Sequence, residues 1–291
     1  MRQLELKALA KINLGLDVLG RRENGYHDVR MVMQSVYLYD DVKIEKTEEP
    51  GISLETNLYF LPTDESNIAY KAAQMLIQEF QLKQGVRITL LKHIPVAAGM
   101  AGGSSNAAAV LFGMNRLFAL HLSVEELMRR GVKLGADVPY CIMRGTVLAE
   151  GIGEKLTALP PMPKCVVLIA KPSFSVSTRV VYEALDAGKM YKHPDIDGLV
   201  KGLESGSLGQ IAGCMGNILE EVTIPMYPVI EEIKQEMKAQ GALNAMMSGS
   251  GPTVFGLYES RAQAREAQRR IRDKALAKQV YVTNIYGVRR K

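Results

Sequence analysis

The sequence predicts an α+β protein in two domains, on three observations. Segments with strand-type alternation and segments with 3.6-residue apolar periodicity follow one another without regular βαβ alternation. The 291 residues are enough for two ordinary cores. Leu159-Pro160-Pro161-Met162-Pro163 interrupts both kinds of pattern and is the best linker in the chain, which sets the domains at 1–159 and 160–291.

Along the chain, Leu4 to Leu19 alternates as one or two strands. Lys11, Asn13, Gly15 and Asp17 share one face, and Ile12, Leu14, Leu16 and Val18 share the other. On residue pattern alone, the Lys11 and Asn13 face is the solvated outside of a half-buried sheet. Asn24-Gly25 is a hairpin signal, with Tyr26 and His27 just past it. These two rings either open the next strand, Val29 to Leu38, or stack on and hydrogen-bond a planar ligand. Strands around Val42 to Glu45 and Ile52 to Glu55 extend the sheet. Asp64-Glu65-Ser66-Asn67 caps a helix running to about Phe80, with Ile68, Ala72, Met75 and Leu76 on its buried stripe.

Val86 to Leu91 is a strand leading into Pro95-Val96-Ala97-Ala98-Gly99-Met100-Ala101-Gly102-Gly103-Ser104-Ser105-Asn106, and an apolar helix from Ala107 to Phe118 leads out. Gly99, Gly102 and Gly103 permit close backbone approach or positive φ. Ser104, Ser105 and Asn106 fall where the free N–H groups and positive dipole end of a helix collect, an arrangement that attracts phosphate. No Lys follows the last glycine, so this is not a Walker A loop, and the spacing is not that of a dinucleotide fingerprint.

Ser123-Val124-Glu125-Glu126 opens a short helix ending near Leu134-Gly135. Asp137 follows on a turn, either as a turn former, as the cap of a further helix, or as a carboxylate that reaches a ligand. Gly145 to Leu159 is a hairpin turning at Gly151-Ile152-Gly153. Beyond the linker, Cys165 to Ala170 is a buried strand, Ser177 to Leu185 a helix, and His193 to Leu219 a set of helical pieces. Pro228 opens a helix that ends at Gly241. Leu243 to Met247 and Thr253 to Tyr258 flank a second glycine-serine turn, Ser248-Gly249-Ser250-Gly251-Pro252, which either closes over phosphate or simply joins two strands. A helix from Ala262 to Ala277 and a strand from Val280 to Tyr286 complete the chain.

Composition narrows the function classes. Hydrophobic residues make up 47% and charged residues 23%, as in a soluble globular protein. No apolar run approaches the ~20 residues of a membrane helix, and Met1-Arg2-Gln3-Leu4-Glu5 does not open a signal peptide. Cys141, Cys165 and Cys214 are isolated singles, which points away from a disulfide framework or zinc site and toward a cytoplasmic setting. The net charge of +5 collects largely in Arg265, Arg269, Arg270, Arg272, Lys274 and Lys278, read as the solvated face of one helix rather than a nucleic-acid surface.

Ala10-Lys11-Ile12-Asn13-Leu14, the Pro95 to Ala109 loop and Met247-Ser248-Gly249-Ser250-Gly251-Pro252-Thr253, in that order, resemble the three motifs of the GHMP kinase superfamily of ATP- and magnesium-dependent small-molecule kinases. Asn24-Gly25-Tyr26-His27 and Gly135-Ala136-Asp137-Val138-Pro139 are similar to the branch whose substrate is a cytidine-diphosphate-linked methylerythritol of isoprenoid biosynthesis. The resemblance runs essentially end to end. It implies a ribosomal S5 domain 2-like N-terminal domain with a mixed or antiparallel sheet, and a ferredoxin-like C-terminal α/β sandwich. It also implies Lys11 and Asp137 as the catalytic pair, Pro95 to Ser105 around the ATP phosphates, and Asn67 and Lys92 at the nucleotide. Either Ser104 or Ser105 would meet Mg2+. Asn13 would contact the methylerythritol part, and Tyr26 and His27 would receive cytosine, with Tyr182 on the opposite face of the ring. Ser248, Gly249, Ser250 and Gly251 would form a second phosphate-side loop.

The glycine loop departs from many relatives in Met100 and Ala101, where they carry Leu and Gly, and in Asn106, where many carry Asp. A kinase of the same superfamily acting on another alcohol would lack the reason for Tyr26, His27 and Tyr182. A metabolite-binding regulatory relative without catalysis would have no need of Lys11 and Asp137. The partner expected is a small molecule, with neither membrane nor nucleic acid, on a monomer or homodimer.

Overall fold

A computed structural model describes residues 2–23, 25–185 and 191–287. By contact density the chain forms two compact units. The first comprises Met1–Ala10, Leu38–Val96 and Ala101–Met143, and the second Lys11–Tyr37, Ala97–Met100 and Arg144–Lys291. This interleaving differs from a single linear boundary at 159/160. The reason lies in two long strands, β1 (Gln3–Arg21) and β2 (His27–Thr47), each of which contributes residues to both units. Asn24, expected in the turn joining them, lies outside the described residues. Its neighbour Gly25 has φ +85°, as a tight turn requires.

In the first unit, β3 (Ile52–Thr56) runs parallel to β4 (Gly85–Leu91), with Ile52 opposite Val86. β4 pairs antiparallel with β2, Asp41 opposite Leu91 and Thr47 opposite Gly85, and β1 lies on the other side of β2. The helices are α1 (Ile68–Glu79), α2 (Gly102–Leu117), α3 (Val124–Val132) and α4 (Val138–Met143). Asn67 caps α1 by accepting from Ala69 N. Ser123 and Glu126 close the expected capping box on α3. α2 packs along α1, and Arg130 of α3 donates from Nε to Glu79 Oε2 of α1 at 2.9 Å.

In the second unit, β5 (Thr146–Gly151) pairs antiparallel with β2 and with β6 (Lys155–Ala158), the expected hairpin. There follow β7 (Val166–Lys171), α5 (Thr178–Ala184), α6 (Ile196–Ser205), α7 (Leu208–Cys214), β8 (Gly216–Asn217), α8 (Glu220–Met226), α9 (Val229–Ala239), β9 (Asn244–Met247), β10 (Val254–Tyr258), α10 (Arg261–Asp273) and β11 (Gln279–Asn284). β8, absent from the sequence-based expectation, runs parallel to β1 with Gly216 opposite Gly15. The second sheet has the order β11-β7-β10-β9 with every pairing antiparallel. Numbered along the chain that order is 4-1-3-2. With α9 before its second strand and α10 before its fourth, it is the ferredoxin-like arrangement the resemblance implied. The hydrophobic stretches Val167 to Ala170 and Val254 to Tyr258 are wholly buried in it, as expected of central strands.

Candidate active site

Within the second unit the three motifs meet through backbone contacts. Lys11 and Asn13 are 5% and 0% exposed. This corrects the solvated face that alternation alone assigns them. α6 covers this side of β1 at Gly15, where a Cβ would come within 2.7 Å of Ile196 Cδ1, and Gly249 lies beside Asn13, a Cβ on it falling 3.6 Å from Asn13 Oδ1. The Lys11 ammonium donates to Asn13 Oδ1 at 2.7 Å, and the Asn13 amide reaches Met31 Sδ at 3.3 Å. A neutral amide therefore aims the cation. The Lys11 backbone N–H donates to Met100 O at 3.2 Å, joining the lysine strand to the glycine loop.

One residue earlier, Gly99 takes φ +70°, and a Cβ there would lie 2.2 Å from Ser248 O. Only glycine fits. Ser248 Oγ donates to Gly99 O at 3.0 Å, so the two glycine-serine segments are seated backbone on backbone. Ser248 and Ser250 are buried, the latter with its hydroxyl 2.8 Å from Thr178 Oγ1. Here the second loop braces the first.

Within the first unit, α2 starts at Gly102, five residues before the apolar run that predicts it. Its N-cap is Ala101 at φ +55°, which supplies no side-chain hydrogen bond. The first intrahelical bond runs from Ser105 N to Ala101 O at 2.8 Å, so the N–H groups of Gly102, Gly103 and Ser104 face outward without a capping side chain. That is the donor arrangement an anion needs. Ser104 is half-buried, whereas Ser105 is buried and donates its hydroxyl to Leu9 O at 2.7 Å.

Beneath this turn lies a buried polar cluster that sequence reasoning missed. Asp40, 0% exposed, accepts from His93 N at 2.7 Å, Ile94 N at 2.8 Å and Asn106 Nδ2 at 2.9 Å, and it pairs with Lys92. Lys92 also donates to Asn106 Oδ1 at 2.7 Å. A Cβ on Gly102 would approach Lys92 Nζ to 3.3 Å, which puts the ammonium directly under the helix start. Lys92, expected as a nucleotide contact, thus has its cation committed to Asp40 and Asn106. Asn67 likewise uses both ends of its amide locally, on Ala69 N at 2.9 Å and on Pro62 O at 2.8 Å.

Asp137 is half-buried and immediately precedes α4, its carbonyl accepting from Cys141 N at 3.0 Å. In the second unit His27 and Tyr182 are brought together, with ring centroids 5.1 Å apart and planes at 46°, while Tyr26 is 58% exposed. Two stacking contacts in series need more room than this, so a base between these two rings requires them to part. Desolvation, and then the nearby Arg21, hold the His27 imidazole below its ordinary pKa of 6.5. Among the described residues, no group of three or more His, Cys, Asp or Glu side chains is placed to hold a metal ion. No helix among them is long and apolar enough to cross a membrane.

Residues 67–145 match the family described as GHMP kinases N terminal domain, and residues 199–277 match GHMP kinases C terminal. A 4-diphosphocytidyl-2-C-methyl-D-erythritol kinase of Lachnospira eligens is 56% identical over 98% of this chain and 99% of its own length. The chain belongs to the 4-diphosphocytidyl-2-C-methyl-D-erythritol kinase family of GHMP kinases. The member from Lachnoclostridium phytofermentans is 54% identical over 97% of each chain. A crystal structure of a 4-(cytidine 5'-diphospho)-2C-methyl-D-erythritol kinase aligns with TM-score 0.84 at 31% identity, covering 98% of this chain and all of that one. A homoserine kinase from Cytophaga hutchinsonii aligns with TM-score 0.77 at 22% identity over 98% and 95% of the two chains, which shows the shared fold alone. The kinase family thereby accounts for the motif trio and for the ferredoxin-like second sheet together.

Proposed function

We propose that this protein transfers the γ-phosphoryl group of ATP to the 2-hydroxyl of 4-diphosphocytidyl-2-C-methyl-D-erythritol, a step in forming isoprenoid precursors by the non-mevalonate route. The observation that carries this is the 56% identity, over nearly the whole chain, to a relative bearing that kinase name. The buried, amide-aligned ammonium of Lys11 supports it.

Phosphoryl transfer asks the protein mainly for positioning and charge stabilisation. Lys11 would hold the acceptor hydroxyl and offset charge on the γ-phosphate. Asp137 would orient that hydroxyl and take its proton. The N–H groups at the start of α2, with the Pro95 to Ser105 backbone, would cradle the ATP phosphates. Asn13 would touch the methylerythritol part while aiming Lys11. Tyr26, His27 and Tyr182 would receive the cytosine once His27 and Tyr182 separate, and a neutral His27 can serve as donor or acceptor to the base edge. Asn67 and Lys92 would act through the helix starts that they order.

The chemistry Mg2+ would supply when bound is neutralisation of charge on the ATP phosphates, and a serine at the start of α2 would help hold it. Ser104, half-buried at the start of α2, fits it better than Ser105, which is buried with its hydroxyl turned toward Leu9 O.

The test is ADP release by purified protein with Mg-ATP and the diphosphocytidyl substrate, beside mevalonate and homoserine. Turnover with the cytidyl compound alone is the expected result. Turnover with either control in its place would reassign the substrate. Binding of the cytidyl compound without turnover would remove the kinase assignment.

A further inference from the structure

Outside the motifs, one buried side chain ties the lysine strand to the second glycine-serine loop. The Asn217 amide nitrogen donates to Met247 O at 2.9 Å and to Gly249 O at 2.8 Å, and its oxygen accepts from Leu219 N at 3.0 Å. It is 6% exposed. Two carbonyl acceptors and one N–H donor leave only one orientation for the amide. Its backbone belongs to β8, paired with β1 at Leu16, and the next residue donates from Ile218 N to Leu16 O at 3.0 Å. Asn217 is thus a crosslink whose main chain is fixed to the strand carrying Lys11 and whose side chain is fixed to the loop that backs Gly99.

The geometry explains why the loop needs such a tie. β9 is the edge strand of its sheet, so the outward-facing N–H and C=O of Met247 have no strand to pair with. The segment from Asn217 to Glu220 supplies both partners. Asn217 takes Met247 O, and Glu220 Oε1 accepts from Met247 N at 2.7 Å while Oε2 accepts from Lys234 Nζ at 2.8 Å. From there the contacts run through Ser248 Oγ to Gly99 O, and from Met100 O to Lys11 N.

We propose that Asn217 is a positioning residue for the transfer step: by pinning Met247 and Gly249 to the lysine strand, it fixes the Gly99–Met100 backbone against Lys11. This rests on the kinase reading above. Misplacement of a reacting group by about 1 Å costs on the order of a hundredfold in rate, so a loosened brace shows in kcat before it shows in substrate binding.

The experiment compares Asn217→Asp and Asn217→Ser with Asn244→Ala. The last removes a tie of the same kind, Asn244 Nδ2 to Ala212 O at 2.7 Å, at the far end of β9. Amide exchange of a peptide covering residues 97–101 and steady-state kinetics are both followed. Asn217→Asp should speed exchange in that peptide about tenfold and lower kcat at least tenfold, with KM for the alcohol within about threefold. Part of the activity should return as pH falls, because a protonated carboxyl regains one of the two donated bonds. Asn244→Ala should do neither. Asn217→Ser, which keeps one donor, should fall between and reports if the Asp variant does not fold. Exchange at 97–101 unchanged in a folded Asn217 variant, or a kcat loss no larger than that of Asn244→Ala, would overturn the proposal. Because exchange is read without turnover, a wrong substrate assignment leaves that arm intact.

Discussion

Lys92→Met separates a nucleotide contact from a buried counter-ion. The substitution keeps the stem volume and removes the ammonium. Asp40 would keep three neutral donors, His93 N, Ile94 N and Asn106 Nδ2, but lose its cation, and Asn106 Oδ1 would lose the donor at 2.7 Å. Removing one partner of a buried pair costs about 3–5 kcal/mol. The three remaining donors place this case toward the lower end, and the orphaned amide oxygen adds about 1 kcal/mol. At about 2 °C per kcal/mol for a chain of 291 residues, the melting temperature should fall by roughly 5–10 °C. The urea midpoint should move with it. Adding Asp40→Asn should restore at least half of the loss, since the uncompensated charge is gone while an amide oxygen still accepts from His93 and Ile94. If Lys92→Met leaves the urea midpoint unchanged and raises only KM for ATP, the ammonium touches nucleotide and the buried-pair argument is wrong.

Three further outcomes follow from the same contacts. Gly99→Ala should cut kcat at least tenfold in the ADP-release assay, because its Cβ would lie 2.2 Å from Ser248 O, whereas Gly103→Ala, meeting Ile68 Cδ1 at 3.4 Å, should melt within a few degrees of wild type. Asp137→Asn should abolish turnover while calorimetric affinity for the cytidyl compound stays within a few-fold; unchanged kcat would exclude it as the base. His27 has a lowered pKa, so just below pH 6.5 the unfolded chain binds more protons than the fold, and stability should decline from about pH 6.5 downward and level off once the folded pKa is passed. Urea unfolding between pH 5 and 7.5 should show that slope reduced in His27→Gln, and equal slopes would refute it.

Most elements were legible because each announced itself locally. The capping box at Ser123, the Asn67 cap and the hairpin at Gly151 stand where their residue types place them. The misses share a cause. β2 was expected as two strands because Asp40-Asp41 interrupts its apolar run, yet it continues through both. Asp40 is tolerated at zero exposure only because Lys92, 52 residues later, and two backbone N–H groups neutralise and bond it. No local window contains that compensation. The face of Lys11 and Asn13 runs against the local pattern for the same reason, since the groups that lie against it, Met31, Ile196 and Gly249, come from segments far along the chain.

The candidate site divides along the same line. Glycines and serines mark the places where one backbone must lie against another or against an anion, and that requirement is written at the position itself, as at Gly99 and Gly102. The groups that hold those segments in place are ordinary Asn, Asp, Glu and Lys residues acting on backbone far away in sequence. Asn217 reaches 30 residues to Met247, and Ser248 reaches 149 to Gly99. Asn217 stands between Gly216 and Ile218 with no periodic pattern around it, and its two-residue strand is too short for alternation to register. Its one local signature is the hydrogen bond to Leu219 N, which an ordinary Asx turn would also make. A motif can therefore be read as a site, while the rigidity that would make it catalytic is visible only in three dimensions.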